Sequence, residues 1–300
     1  MSGPEQGLER TQIMGTTGPL LPSLLKINGQ GKVGLLFLAI GLFMACFGPW
    51  VAPYDPQESL LDEQGRLKSL QAPSRTHPLG TTWQGRDVLS QVLCAARPTI
   101  TVGVAAALII AFLGVNVGMV SGYFGKTVDL LLMRIVDILY GLPFLPLMIV
   151  LLSVLGRSRS GIILCIGLIA WRDVSRIIRA QVLTIKELPY VQSARVMGAG
   201  HFRVIYVHIF PNVLPSVVLF LSFAMVWSIL AHADISFLGF GDPATLTWGS
   251  MIYSAWSVGV VTSAFWWYLP PAICIAMVSS GAFFFARAFE EIANPRLKER

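Results

Sequence analysis

The sequence predicts an all-α membrane protein with about six transmembrane helices, and three observations carry that prediction. Of its 300 residues 54% are hydrophobic and 13% charged, with a mean hydropathy of +0.67, whereas an ordinary soluble domain has roughly a quarter of its residues charged. Long runs such as VGLLFLAIGLFMACFGPWVA contain no charge at all. The Lys and Arg residues fall in the gaps between these runs, so the net charge of +6 reads as topology; a nucleic-acid surface would need a basic patch with interleaved aromatics.

Taken in order, residues 1–30 are Gly- and Pro-rich and show no signal-peptide arrangement, and they read as a cytoplasmic tail. Span one runs from Lys32 to about Pro53, enough at 1.5 Å per residue to cross about 30 Å of hydrocarbon. Residues 54–98 are polar and belong outside the bilayer. Near their end Val88, Leu89, Val92, Leu93 and Ala96 predict an amphipathic helix along the membrane surface, with Pro98 turning the chain inward. Span two follows from about Ile100 to Val120. Span three runs from about Val128 to Leu155, long enough to need a tilt or a kink near Pro143 and Pro146. Span four, Gly161 to about Val182, gains Arg172, Asp173, Arg176 and Arg179 toward its end and so projects beyond the bilayer. Span five covers about Asn212 to Phe237 and span six about Phe265 to Phe289, before the tail 291–300. Between them, Trp248 to Phe265 is apolar and aromatic, dipping partly into the membrane or forming an interfacial belt with Trp256, Trp266, Trp267 and Tyr268. The domains expected are thus a tail at 1–30, the first span with its outer loop at 31–98, a core at 99–290 and a tail at 291–300.

Orientation follows from Lys and Arg asymmetry. With a cytoplasmic N-terminus, one side collects Lys26, Lys32, Lys126, Arg172, Arg176, Arg179, Lys186, Arg195, Arg203, Arg287, Arg296, Lys298 and Arg300, and the other only Arg66, Lys68, Arg75, Arg86, Arg97, Arg157 and Arg159. Both termini and the loop at 186–215 are therefore expected in the cytoplasm.

That loop, KELPYVQSARVMGAGHFRVIYVHIFPNVLP, is not written like a loop. Pro189 suits a first helical turn, where an N–H has no use. Tyr190, Val191, Ala194 and Met197 make one apolar face, Gly198 and Gly200 break it, and Phe202, Ile205, Tyr206 and Ile209 lay down a second before Pro211 and Pro215 disturb it. Ser193, Ala194, Gly198 and Ala199 leave little bulk at the bend. Spacing alone fits either an element that docks a soluble partner or an amphipathic interfacial helix pair.

Ser193 to Ala199, followed by Ile209-Phe210-Pro211, resembles the EAA loop of bacterial ABC importer permeases. Gln192 stands where that family has its glutamate, Ser193 replaces the first alanine, and Phe210 precedes the proline. His77 to Leu93, HPLGTTWQGRDVLSQVL, is similar to a signature of the dipeptide and oligopeptide subgroup, as are Phe237 to Gly241, Pro243, Trp248-Gly249 with Met251, and the ending Asn294 to Leu297. The resemblance covers roughly residues 75–297 and implies a type I ABC importer permease fold. It implies ATPase coupling through Gln192, Ser193, Ala194, Arg195, Gly198, Ala199, His208 and Pro211, and binding-protein docking through Gly85, Arg86, Asp87, Trp248 and Gly249. The implied partners are a second homologous permease in a heterodimer, two cytoplasmic ATPases, an extracytoplasmic solute-binding protein and membrane lipid, with no nucleic acid. The implied cargo is di- or oligopeptides, with nickel or oligosaccharides as the alternative.

The chain itself offers no nucleotide site. Gly125-Lys126-Thr127 imitates the end of a Walker A loop, but Val120 occupies the place of its first glycine. Gly239 to Ala244 imitates a dinucleotide fingerprint without a βαβ unit, and Pro243 falls where the helix should propagate. ATP and Mg are therefore expected on partner subunits, with no cofactor or metal in this chain. Cys46, Cys165 and Cys274 lie inside apolar runs, too dispersed for a disulfide framework. No catalytic grouping emerges, so the chain reads as a non-catalytic subunit. An ion-coupled secondary carrier would need more ionisable groups near mid-membrane than are present. Of those that are, Asp137, which could pair with Arg134 three residues away on one helix face, and Asp234, close to His232, are candidates for lining a translocation path; the pair at 134 and 137 fits equally a helix-packing pair that snorkels toward an interface.

Overall fold

The computed structural model describes residues 29–293. Among them the chain is helical, with two isolated β-bridges, Leu61 with Leu67 and Thr81 with Asp87, both in the polar segment after the first helix. That helix, α1, is Gly29–Val51. The others are α2 (Val88–Phe124), α3 (Lys126–Gly141), α4 (Phe144–Leu155), α5 (Arg159–Ile185), α6 (Pro189–Val196), α7 (His201–Phe237), α8 (Trp248–Ser257) and α9 (Phe265–Ala293). The expected N-terminal tail, beyond Gly29 and Gln30, and the ending Asn294 to Leu297 lie outside the described residues.

Among the described residues four helices are long and apolar enough to cross a membrane: α1, α2, α7 and the Phe265–Phe289 part of α9. A fifth span results if α3 and α4 are counted together. The expected fourth span, α5, carries Arg172, Asp173, Arg176 and Arg179 and falls outside that set. It nevertheless packs along α2 more extensively than any other pair of helices in contact.

The α2–α5 contact has a simple cause. Gly114, Gly118 and Gly122 recur every four residues on one face of α2, where the two backbones can approach closely. A Cβ on Gly118 would lie 2.7 Å from the Ser175 carbonyl oxygen, and one on Gly122 2.8 Å from Val182 Cβ. One apolar core gathers here, around Met119, Ile166, Ile178 and the start of α7. A second, around Val92, Trp248, Trp267 and Val278, joins α1, the start of α2, α8 and α9.

Three expectations are corrected. Residues 88–98 are no separate surface helix: α2 runs unbroken through Pro98, with Val88, Ala95 and Ala96 fully buried. Proline is tolerated within membrane helices when neighbouring side chains and other elements hold the surrounding backbone. Here the Thr99 hydroxyl donates to Ala95 O at 2.8 Å, and the Trp248 indole donates to Val92 O at 2.9 Å. Of the tilt or kink expected in the third span, the structure has the kink at Pro143, but as a complete break between two helices, α3 and α4, meeting at 99°. Leu142 precedes Pro143 and is extended (φ −100°, ψ 130°), as a residue before proline prefers. Pro146 causes no disturbance, because it falls in the first turn of α4. Finally, the second docking helix and span five are one element. α7 passes Pro211 and Pro215 after a π-helical segment at Val204–Ile209, in which the Phe210 N–H reaches Ile205 O. Of the expected interfacial aromatics, Trp256 is exposed but Trp267 is buried in the second core.

Candidate functional site

At one end of the bundle the C-terminus of α2, the C-terminus of α5 and the start of α7 converge on α6. Leu188 is extended (φ −68°, ψ 144°) and Pro189 opens the helix. Val191 is buried in the first core and Ala194 is buried too, so Ala194 does not face outward. The helix ends in a Schellman turn. Gly198 takes φ +84°, its N–H bonds Arg195 O at 3.0 Å, and the Ala199 N–H bonds Ala194 O at 3.0 Å. Glycine is the residue that reaches this conformation without a Cβ penalty.

Side chains then tie the bent pair down. The Tyr123 hydroxyl lies 2.9 Å from His201 Nδ1, and the Arg195 guanidinium stacks over the same phenol ring at 4.6 Å. The Lys186 ammonium donates to Gly122 O at 2.8 Å. Arg179 clamps Asp129, with Nη2 to Oδ2 at 2.6 Å, joining α5 to α3. Tyr206 donates to Asn116 Oδ1 at 2.6 Å. Gln192, in the position of the family's glutamate, donates to Lys186 O and Glu187 Oε2, both at 3.1 Å. It therefore closes the α5–α6 corner instead of offering a free carboxylate. Partial burial pushes the Tyr190 phenol above its ordinary value.

What remains outward is apolar. Val196 is 88% exposed, Met197 79% and Phe202 75%, and they surround the bend together with exposed Ser193, Gly198 and Gly200. Single exposed apolar side chains are ordinary, but a contiguous group on a rigid element marks a contact with another protein or with the membrane. Ala199 and His208 are half-buried and Pro211 is exposed. Asn212 donates to His208 O at 2.7 Å across the π segment.

Residues 114–299, which include this whole element, match the family model described as the binding-protein-dependent transport system inner membrane component. The chain belongs to that family. Residues 26–73 match a second model, the N-terminal transmembrane domain of oligopeptide transport permease C. A dipeptide transport system permease of Bacillus subtilis is 33% identical over 276 residues, covering 91% of this chain and 84% of the relative. An oligopeptide transport system permease of the same organism is 34% identical over 253 residues, 83% of this chain and 81% of the relative. A di/tripeptide transport system permease of Pseudomonas aeruginosa is 31% identical over 275 residues, with 88% of each covered.

As an inner membrane component this chain is a multi-pass membrane protein, and its opposite end is built by the histidine-proline signature. His77 Nδ1 lies 3.0 Å from Asp87 Oδ1, while Asp87 Oδ2 accepts the Ser90 N–H and hydroxyl at 2.8 Å each, capping α2. Asp87, Trp248 and Gly249 are buried, and a Cβ on Gly249 would lie 2.8 Å from Ala233 Cα. These motif residues join α2, α7 and α8, so any docking by the motif goes through the surface they hold in place. Gly85 is buried too, and Arg86 alone of the five is half-buried.

Of the two path candidates, Asp137 pairs with Arg176 across α3 and α5 at 2.5 Å, not with Arg134. Asp234 is exposed whereas His232 is buried, so the two do not pair. Asp173, read from the sequence only as one of the charges that carry span four beyond the bilayer, lines a cavity of about 380 Å³ with Phe220, Phe223 and Trp227. It accepts the Tyr140 hydroxyl, and Arg172 and Arg176 both stack on that ring, at 4.7 and 4.0 Å. The glycine stripe of α2 carries a sequence signal of its own, the four-residue spacing of Gly114, Gly118 and Gly122.

Proposed function

We propose that this permease imports short peptides and is driven from outside itself, through α6 and the bend at Gly198. The observation that carries the reading is the combination of an exposed Val196–Met197–Phe202 surface with an anchored interior side at Tyr123, Lys186 and Asn116. A soluble ATPase gripping the outward face moves α2, α5 and α7 with it, because hydrogen bonds and buried side chains leave no slack between them. In this reading Ser193, Arg195, Gly198, Ala199, His208 and Pro211 form or support the contact, Gln192 and Ala194 keep α6 seated, and ATP with Mg stays on two ATPase subunits.

The same proposal places both termini and α6 in the cytoplasm, with 31–98 as the first span and outer loop and 99–290 as the core. A second homologous permease completes the path, a solute-binding protein delivers cargo to the end built by His77 to Ser90 and α8, and lipid surrounds the assembly. Asp173, which lines the cavity and has Arg172 4.0 Å away, is then placed on the path ahead of Asp137, which pairs with Arg176 at 2.5 Å; Asp234 lines the outer mouth. The named functions of relatives support peptides as cargo. The test is uptake of a labelled dipeptide into proteoliposomes containing all subunits: uptake should need ATP and stop when either the ATPases or the binding protein is left out. Uptake that persists without the ATPases and follows a proton gradient overturns the proposal.

A further inference from the structure

At the end of the bundle away from α6, the loop through Thr82 to Gln91 and helix α8 enclose a pocket of about 150 Å³. Arg86, Trp267, Gln91, Ser254 and Ser257 line it, with Trp83 at its edge, and none of its lining residues is acidic. Its two donors have no acceptor. The Arg86 Nε is buried without a hydrogen-bond partner, and so is the indole N–H of Trp267, a side chain only 3% exposed. The Arg86 guanidinium joins no ion pair among the described residues, while its backbone is pinned through the Arg86 N–H to Thr82 Oγ1 at 3.1 Å and the Thr82 N–H to Arg86 O at 2.9 Å. The remaining polar groups cannot serve as those acceptors' equivalents in charge: the Gln91 amide donates to Pro56 O, and both serine hydroxyls donate within α8.

A fixed cation beside a buried neutral donor calls for a small anion with two acceptor oxygens, the geometry that a guanidinium fork favours. The volume admits the head of one side chain. Around the mouth, Trp83 and Val258 are exposed, as is Trp256 further along α8. Trp and Arg together are the residues that dominate protein–protein contacts, and they favour a macromolecular source for the anion over a free one.

We propose that this pocket receives a carboxylate, the side chain of an Asp or Glu on the solute-binding protein that docks at this end. The inference rests on the importer reading above. It is tested with the complete importer in nanodiscs, titrating its cognate solute-binding protein and following complex formation by biolayer interferometry. Arg86→Gln should weaken the apparent affinity about tenfold or more, and Arg86→Lys less. Trp267→Phe, which keeps the ring and removes the N–H, should weaken it severalfold, and acid-to-amide replacement on the binding protein should match Arg86→Gln at one position only. Unchanged affinity in Arg86→Gln, with the variant monodisperse and melting as the parent does, overturns the inference. So does a loss reproduced instead by amidating the peptide cargo, because the carboxylate then belongs to the cargo. Absence of any binding by the unmodified importer tells against the importer reading itself.

Discussion

The Tyr123 hydroxyl and His201 Nδ1 stand 2.9 Å apart, joining the last turn of α2 to the first residue of α7. Because Arg195 of α6 stacks on the same phenol ring, one side chain holds three helices at the bend. In the reading proposed above, force applied to Val196 or Phe202 would reach α2 through this packed contact.

Tyr123→Phe keeps the ring beneath Arg195 and removes one hydrogen bond, so it should cost about 1 kcal/mol. Tyr123→Ala removes both, and the cavity left in the first core brings the loss to about 3 kcal/mol. Thermal unfolding of the purified complex reads the difference. Peptide transported per ATP hydrolysed should fall in Tyr123→Ala while the ATPases remain bound, and an unchanged ratio would show that the lever does not run through this residue.

Gly118→Leu places a side chain where a Cβ alone meets the Ser175 carbonyl oxygen at 2.7 Å. The opposing atom is helix backbone and cannot swing away, so α2 and α5 must separate. Gly118→Ala should destabilise by about 1–3 kcal/mol, as overpacking does, and Gly118→Leu should abolish recovery of monodisperse protein. A Gly141→Ala control has open space around the new Cβ and should leave recovery unchanged.

Much of the bend was legible because local chemistry decides it: Pro189 can only begin a helix comfortably, and Gly198 supplies the left-handed conformation that its turn requires. Pro98 and Pro143 carry the same local signal yet end differently. Trp248, distant in sequence, holds the helix together around the first; at the second, Arg172 takes up the Leu139 carbonyl that Pro143 leaves without a helical donor, and the chain bends there. Asp87 and Trp248 could be recognised as motif residues, but a motif does not say which way a side chain faces, and both face inward. The Asp137–Arg176 pair was hidden for a related reason, since Arg134 is nearer in sequence while Arg176 is nearer in space.

Trp248 tests that inward role. Trp248→Phe deletes the donor to Val92 O beside Pro98 and should lower stability by about 1 kcal/mol, whereas Trp248→Ala empties a fully buried site and should cost about 3–5 kcal/mol. Both are read by thermal unfolding. A Trp248→Ala protein as stable as its parent would mean that α8 is not what stabilises the proline-containing turn of α2.

Phe202 tests the outward role. At 75% exposed it contributes little to this chain's own core, and surface replacements away from special features stay within about 0.5 kcal/mol of the parent. Phe202→Asp should therefore melt normally. It also puts a charge at the centre of the apolar group formed with Val196 and Met197, where a docked ATPase would have to desolvate it without a partner. Association with the ATPases, measured by co-purification and by ATP-dependent dipeptide uptake, should fall at least tenfold. Phe202→Leu, which keeps the apolar contact, should retain most of it. Full association in Phe202→Asp would locate the ATPase contact on another face of the helix pair and remove the mechanical role assigned to the bend.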